Sequence, residues 1–408
     1  MELFKIFAGI SIFGTIVFGL QVWSVRAALK NRTKDTLYIL NGKRNQTSSV
    51  LHQERYYPPI SILKPLRGLG SNLFENLESF CIQDYPHYEI IFSLQDHNDP
   101  AYNVALEIKE KYPDRDITVL VKRCEAGLNP KVNNLLPAYE IARFEFILMS
   151  DSDIFVDKDF LKEIIHYMED PQVGLVSNLY RGVGGRGVGC IFDNIYLNSF
   201  NIGGICFLDR FFREPWTFGS SMLVRKSDME SIGGLTAVKD FLSEDLILRN
   251  KMKKMGKTII LSSYLINKVN EDRGFREYLN RLIRWSQLRW RIGGVRYFSE
   301  LFTNSVFMAY FPILLWGPST LTISFAMAVS ALKVIGNIYL DSLIREDRTD
   351  RTLSREPRIV QFSPLWYLLS PLNDIIMGII WFVPLFYNTV TWRGNSCRIS
   401  RDSALSRL

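Results

Sequence analysis

The chain predicts an α/β fold built on a mostly parallel sheet, with membrane helices at both ends. Three observations carry this. Between Ile60 and Met149 short apolar runs alternate with helix-patterned stretches, the rhythm of a parallel sheet covered by helices. Ile6–Val25 carries no charge and Leu301–Ile344 carries few, and about 20 apolar residues suffice to cross a bilayer as a helix. One apolar run, Phe146-Ile-Leu-Met-Ser150, ends in two carboxylates one residue apart, Asp151 and Asp153. Open α/β sheets bind ligands at the carboxyl ends of their strands.

Composition agrees. The 408 residues are 47% apolar and 22% charged, a balance that fits a soluble domain joined to membrane segments. The formal charge of +7 suits attraction to an anionic membrane face. No zinc-finger spacing or RNA-binding motif supports nucleic acid as the partner. Cys81, Cys124, Cys190, Cys206 and Cys397 are scattered without a CxxC pair, which argues against a zinc site and for a reducing, cytosol-facing setting.

Taken in order, Ile6–Val25 reads as a signal anchor, because it is long and no small-residue cleavage site follows it. Arg26, Lys30, Arg32 and Lys34 come next and place the following segment in the cytoplasm by the positive-inside rule. Residues 1–30 are therefore the anchor. Lys43–Pro59 is a polar linker ending in a double proline.

The α/β domain is expected over 58–300. Its strands are expected at Ile60–Leu63, Ile90–Leu94, Ile117–Val121 and Phe146–Met149, and its helices at Asn72–Phe80, Ala101–Lys111 and Val132–Ala142. The Gln95–Pro100 loop brings Asp96 and Asp99 to the carboxyl edge of the second strand, where a carboxylate can accept from a base N–H or a ribose hydroxyl. Asn-Asp-Pro is also an ordinary turn. Lys131 stands where the Gly127–Asn134 loop enters a helix, a position that suits a phosphate and equally a solvated charge.

Asp151 and Asp153 suit a hard divalent cation that also takes diphosphate oxygens; the plainer reading is a solvated strand end. The glycine run Arg181–Gly189 lacks the strand–helix grammar of a dinucleotide fingerprint and reads as a flexible loop. Cys190–Phe212 is apolar but broken by Asp193, Asn194, Asn198, Asn201 and Asp209, so it is a core helix or a segment at the membrane surface.

Phe218–Val224 reads as a strand. Glu244 and Asp245 open a helix, either as N-terminal charges favoured by the dipole or with one of them a general base. The basic amphipathic stretch around Arg281-Leu-Ile-Arg284-Trp285 is an interfacial helix whose guanidinium groups can clamp a diphosphate. Residues 301–391 hold membrane or interfacial helices, broken at Gly317-Pro318 and interrupted by Lys333 and Asp374, charges that are costly unless paired. Residues 392–408 form a basic tail suited to the cytoplasmic side. One anchor and three full passes would put that tail outside, so one C-terminal segment is expected to be re-entrant or interfacial.

The order of these signals resembles the membrane-bound, inverting glycosyltransferases with a GT-A (Rossmann-like) fold, and within them the ceramide glucosyltransferase family with its bacterial relatives. The matching stretches are Leu63-Lys-Pro-Leu66, Gln83-Asp-Tyr-Pro86, Gln95-Asp-His-Asn-Asp-Pro100, Asn129-Pro-Lys-Val-Asn-Asn134, Glu244-Asp245 and Arg281-Leu-Ile-Arg-Trp285. The resemblance implies a UDP-sugar donor, UDP-glucose first, and a lipid acceptor such as ceramide. It implies that Asp96 and Asp99 contact uridine with Lys131 nearby, and that Asp151 and Asp153 hold Mg²⁺ or Mn²⁺ on the diphosphate. It implies Asp245, beside Glu244, as the base, and Arg281, Arg284 and Trp285 as the groups that secure the leaving UDP. Animal members have a shortened Asp-X-Asp motif, whereas both acids stand here. Arg181–Phe212 matches least, which leaves hopanoid-type acceptors open. A polysaccharide synthase would carry Gln where Arg281 stands, and a non-catalytic scaffold would have no need of the retained acids.

Overall fold

The computed structural model describes residues 2–41, 57–346, 359–392 and 395–407. Most of the expected linker (42–56) and of the charged Arg345–Arg358 loop (347–358) lies outside the described residues.

Eight strands form one sheet: β1 (Ile60–Pro65), β2 (Tyr88–Leu94), β3 (Ile117–Val121), β4 (Phe146–Ser150), β5 (Ile154–Phe155), β6 (Val173–Val183), β7 (Ser221–Arg225) and β8 (Thr258–Val269), in the order β3-β2-β1-β4-β7-β6-β8-β5. The first four are parallel, and β7 runs antiparallel to both β4 and β6. Side chains alternate between two cores. Ile60, Ile62, Ile90, Phe92, Phe146 and Leu148 enter one, while Leu63, Ile91, Ile147 and Met149 enter the other. Because both faces are covered, these strands read in sequence as continuous apolar runs.

The helices are α1 (Glu2–Asn41), α2 (Leu73–Cys81), α3 (Ala101–Lys111), α4 (Pro130–Ile141), α5 (Phe160–Ile165), α6 (Val188–Tyr196), α7 (Ile202–Phe212), α8 (Lys226–Ser231), α9 (Glu244–Lys254), α10 (Phe275–Gly293), α11 (Phe298–Thr303), α12 (Ser305–Trp316), α13 (Thr320–Arg345) and α14 (Ser370–Ile380). Helix α4 starts where it does because the Asn129 side chain accepts from the Lys131 and Val132 amides, with Pro130 in the first turn. Residues of α2, α3 and α5 close one face of the sheet, and residues of α4, α8 and α9 close the other.

The glycine run expected to be a flexible loop is partly strand. Arg181, Gly182 and Val183 complete β6 and are buried. The Asn198 amide bonds Gly182 through both its N–H and its C=O, and Asn194 Nδ2 donates to Gly184 O. Cys190–Phe212 forms two helices that differ in burial. Helix α6 is core, whereas α7 packs on α1 and leaves Phe211 and Phe212 exposed.

Three helical stretches among the described residues are long and apolar enough to cross a membrane: Leu3–Lys30, Thr320–Arg345 and Pro364–Phe386. The Phe275–Thr303 stretch meets α12 at a bend of 72°. Lys333 and Asp374 pair at 3.1 Å with both side chains nearly buried, which answers the cost of placing either among apolar helices. The membrane helices do not form a separate body. Val25, Leu340, Ile344, Met377 and Ile380 share the core that lines one face of the sheet.

Residues 389–392 and 395–407 form a second sheet. Strands β9 (Thr389–Trp392), β10 (Asn395–Ile399) and β11 (Leu405–Arg407) are antiparallel and pack against Leu128, Leu242 and Leu288.

Candidate active site

The order β2-β1-β4 sets the carboxyl ends of three parallel strands side by side, so the Gln95–Pro100 loop and Asp151 leave the sheet at the same edge. The antiparallel register of β4 with β7 pairs Ser150 with Ser221. This brings Gly219 and Ser220 against the acidic loop, where the Asp151 amide donates to Ser220 O.

Lys131 is the hub. Its Nζ lies 2.7 Å from Asp151 Oδ1 and 2.8 Å from Glu244 Oε1, and it donates to Gly219 O at 2.8 Å. Two carboxylates outweigh the effect of burial and raise its pKa, so the ammonium stays charged. Asp245 lies beside this group. Its Oδ2 accepts from the Gly219 amide, and its Oδ1 accepts from Ser243 Oγ and the Leu246 amide. Burial first, and then the Glu244 charge, push the Asp245 carboxyl up to about 6, against the Ser243 hydrogen bond. That value suits a base that takes and releases a proton near neutrality.

Asp153 is placed by a second pairing. Ile154 sits opposite Lys268 in the β5–β8 register, and Lys268 Nζ reaches Asp153 Oδ2 at 2.6 Å. Burial works to raise the Asp153 carboxyl, but Lys268, Arg281 and Arg273 together hold it below the usual value. Its Oδ1 has no hydrogen-bond partner although it is buried. An orphaned carboxylate oxygen two residues from the part-exposed Asp151 fits a hard cation whose remaining ligands come from a bound diphosphate.

Arg281 and Trp285 stand on α10. Arg281 Nη1 donates to Asp193 Oδ2 at 3.1 Å, and its guanidinium lies 4.3 Å over the Trp285 ring. Trp285 stacks on Tyr196 at 5.0 Å. Arg284 is half-buried one turn along the helix. The Gln95–Pro100 loop shows two different carboxylates. Asp99 accepts from the Gly68 and Ala101 amides, joining two loops and starting α3. Asp96 is exposed and accepts from the Asn98 amide.

Four further residues contact these groups without having been singled out in the sequence as site residues. Lys64 is fully buried, with its Nζ 2.6 Å from Asp151 O and 3.8 Å from the Phe80 ring centre. Burial pushes it down to about 7, opposed by Asp151 and Asp153. A lysine inside an apolar strand was the available signal. Asp193 is a buried carboxylate against Arg281 and Arg273, and it was legible only as an interruption of an apolar segment. Lys268 and Gly219 gave no signal, since both depend on non-local register.

A mixed sheet thus carries acids at its carboxyl edge, a lysine joins them to a second acidic pair, and a basic helix lies alongside. The profile of glycosyl transferase family 21 matches residues 15–405. The chain belongs to that family. It is 26% identical over 366 residues to ceramide glucosyltransferase 3 of Caenorhabditis elegans, covering 88% of this chain and 75% of that protein. It is 27% identical to ceramide glucosyltransferase 1 of the same organism, covering 57% of this chain and half of that protein. Among solved structures, a mannosyltransferase from Pyrobaculum calidifontis in complex with GDP-Man and Mn²⁺ aligns with a TM-score of 0.45 at 17% identity, over 90% of this chain and 99% of that one.

Proposed function

We propose that the protein transfers glucose from UDP-glucose to the hydroxyl of a membrane lipid, ceramide or a close analogue, with inversion and at the cytoplasmic face. The family and the names of its relatives support the sugar and the acceptor. Arg26 and Lys30 at the end of the anchor support the orientation.

The observation that carries this reading is Lys131, which joins Asp151 on the donor side to Glu244, the neighbour of the base. Donor and acceptor chemistry therefore share one crevice. Asp96 and the loop held by Asp99 receive uridine. Asp151 and Asp153 hold Mg²⁺ or Mn²⁺, which supplies positive charge to the diphosphate when bound. Asp245 removes the proton from the acceptor hydroxyl, and its raised pKa lets it hold that proton after transfer. Arg281, Arg284 and Trp285 steady the departing UDP, with Asp193 fixing the Arg281 guanidinium.

The test is UDP release by the solubilised protein with UDP-glucose and Mg²⁺ or Mn²⁺, with and without ceramide. Ceramide-stimulated release with a glucosylceramide product is expected. Release that ceramide does not stimulate moves the acceptor to another lipid, hopanoids first. No release with any UDP-sugar and lipid tried removes the enzyme reading.

A further inference from the structure

The segment just before the proposed base is held from two sides. On one side lies the start of α4. The Leu128 amide donates to Asp240 Oδ1, and Asn129 Nδ2 donates to Phe241 O. On the other side lies the C-terminal sheet. The Leu405 amide donates to Asp240 O, and the Leu242 amide donates to Ser403 O. Phe241 forms a β-bridge with Ala404, and the Ser243 amide donates to Ser403 Oγ at 3.3 Å. Asp402 and Ser403 have φ of 58° and 65°. This left-handed turn lets Ser403, fully buried, offer both its carbonyl and its hydroxyl to residues 242 and 243.

The same sheet reaches the basic helix. Gln287 Nε2, two residues past Trp285, donates to Tyr387 O and Thr389 O. Leu288 packs with Leu128 and Leu242 against Val390, Cys397, Ile399 and Leu405. Three loops or helices that carry proposed site residues thus meet on 389–407: the one before Lys131, the one before Glu244 and Asp245, and the helix of Arg281. Nothing in the proposed chemistry requires a sheet there, and none of its residues faces the crevice through a described hydrogen bond.

We propose that the C-terminal sheet is a clasp that sets the Ser243–Asp245 segment against Lys131 and the Arg281 helix, with Ser403 its positioning residue for the transfer step. The proposal rests on Asp245 as the base. It goes beyond that reading by making a segment outside the α/β domain part of what fixes the base.

The test uses the full chain and two variants, Ser403→Gly and Leu405→Asp, with Asp245→Asn in parallel. Glycine suits the left-handed φ and removes the hydroxymethyl group while keeping the Ser403 carbonyl, so Ser403→Gly is expected to fold, with an unfolding midpoint lower by a few degrees at most. Its kcat should fall about five- to twentyfold, because the Ser243 amide is no longer held and Asp245 loses its fixed position, while the KM for UDP-glucose stays within about twofold. Leu405→Asp should lower kcat further and still bind UDP. Wild-type kcat in both variants, with Asp245→Asn inactive, overturns the clasp and leaves the base standing. A parallel loss of donor affinity and kcat also overturns it, because the sheet would then only support the fold. If Leu405→Asp does not fold, Ser403→Gly decides. Transfer by Asp245→Asn removes the base itself, whatever the tail variants do.

Discussion

The Lys131 ammonium stands 2.7 Å from Asp151 Oδ1, a contact between a helix start and a strand end 20 residues apart in sequence. It closes over Gly219, whose missing side chain makes the room. A Cβ at that position would lie 2.6 Å from Lys131 Nζ and 2.7 Å from Glu244 Oε1.

Both clashing atoms are side-chain tips, but they are buried and paired with each other, so Gly219→Ala should cost roughly 1–3 kcal/mol of stability. It should nevertheless displace the pair that joins the two halves of the site. The expected outcome is a folded protein with transfer reduced by about tenfold or more. Measured kcat near wild type would mean that the Lys131 contacts are incidental to turnover.

Asp245→Asn should abolish transfer while UDP-glucose binding survives. Its effect on stability has a definite sign. A carboxyl whose folded pKa is raised to about 6 favours the fold below its ordinary value, and that contribution is lost as pH rises through 6. The asparagine variant removes the buried charge, so its unfolding midpoint should exceed wild type above pH 6 and approach it near pH 4. The wild-type rate should fall on the acid side with an apparent pKa near 6. A flat pH profile between 5 and 8 would take Asp245 out of proton transfer.

The sequence disclosed the parts of this site that short-range pattern can carry. The strand ends of β2 and β4 and the acids that open α9 are local features that stand where the pattern placed them, and α4 begins two residues before its expected Val132 because Asn129 caps it. What stayed hidden depends on pairing between distant segments. Lys268 reaches Asp153 because β5 folds back on β8, and Gly219 reaches Asp151 because β7 runs against β4. The tail read as a charged end because Arg398, Arg401 and Arg407 dominate it. Its alternating Val390, Cys397, Ile399 and Leu405 are too few and too interrupted to announce a sheet.

Asp153→Ala should weaken metal-dependent donor binding by more than the roughly tenfold typical of losing a group that only supports a ligand. It also leaves Lys268 without its 2.6 Å partner, so the unfolding midpoint should fall. Titrating Mg²⁺ or Mn²⁺ against UDP binding separates the two effects. An unchanged metal requirement would place the cation elsewhere.

Lys333→Met should destabilise the membrane region by roughly 3 kcal/mol, because it strands Asp374 without its 3.1 Å partner. The double variant Lys333→Met, Asp374→Leu should recover most of that loss, since two apolar residues then replace a desolvated pair. Thermal unfolding in detergent of the two single variants and the double variant gives the coupling. Additive losses would show that the two charges do not depend on each other.

The C-terminal sheet also constrains topology. Its hydrogen bonds to residues 240–243 require the tail and the α/β domain to share one side of the membrane. The chain between Ser305 and Phe386 must then leave and return by the same face. Helix α12 has 12 residues, about 18 Å of rise, which is short of the roughly 30 Å hydrocarbon core. Helix α13, with 26 residues, is long enough to return past the interface, and its Leu340 and Ile344 do join the core beside the sheet. Pro364–Phe386, long and apolar enough to cross, runs as three short helices, and the shared side of tail and domain requires it to return to the face it leaves. The expected result is a C-terminal tag that reacts with impermeant reagents on the same side as a tag between residues 42 and 56, with a cysteine at Gly317 shielded on that side. A C-terminal tag on the opposite face would be incompatible with the sheet contacts, and the clasp would fall with them.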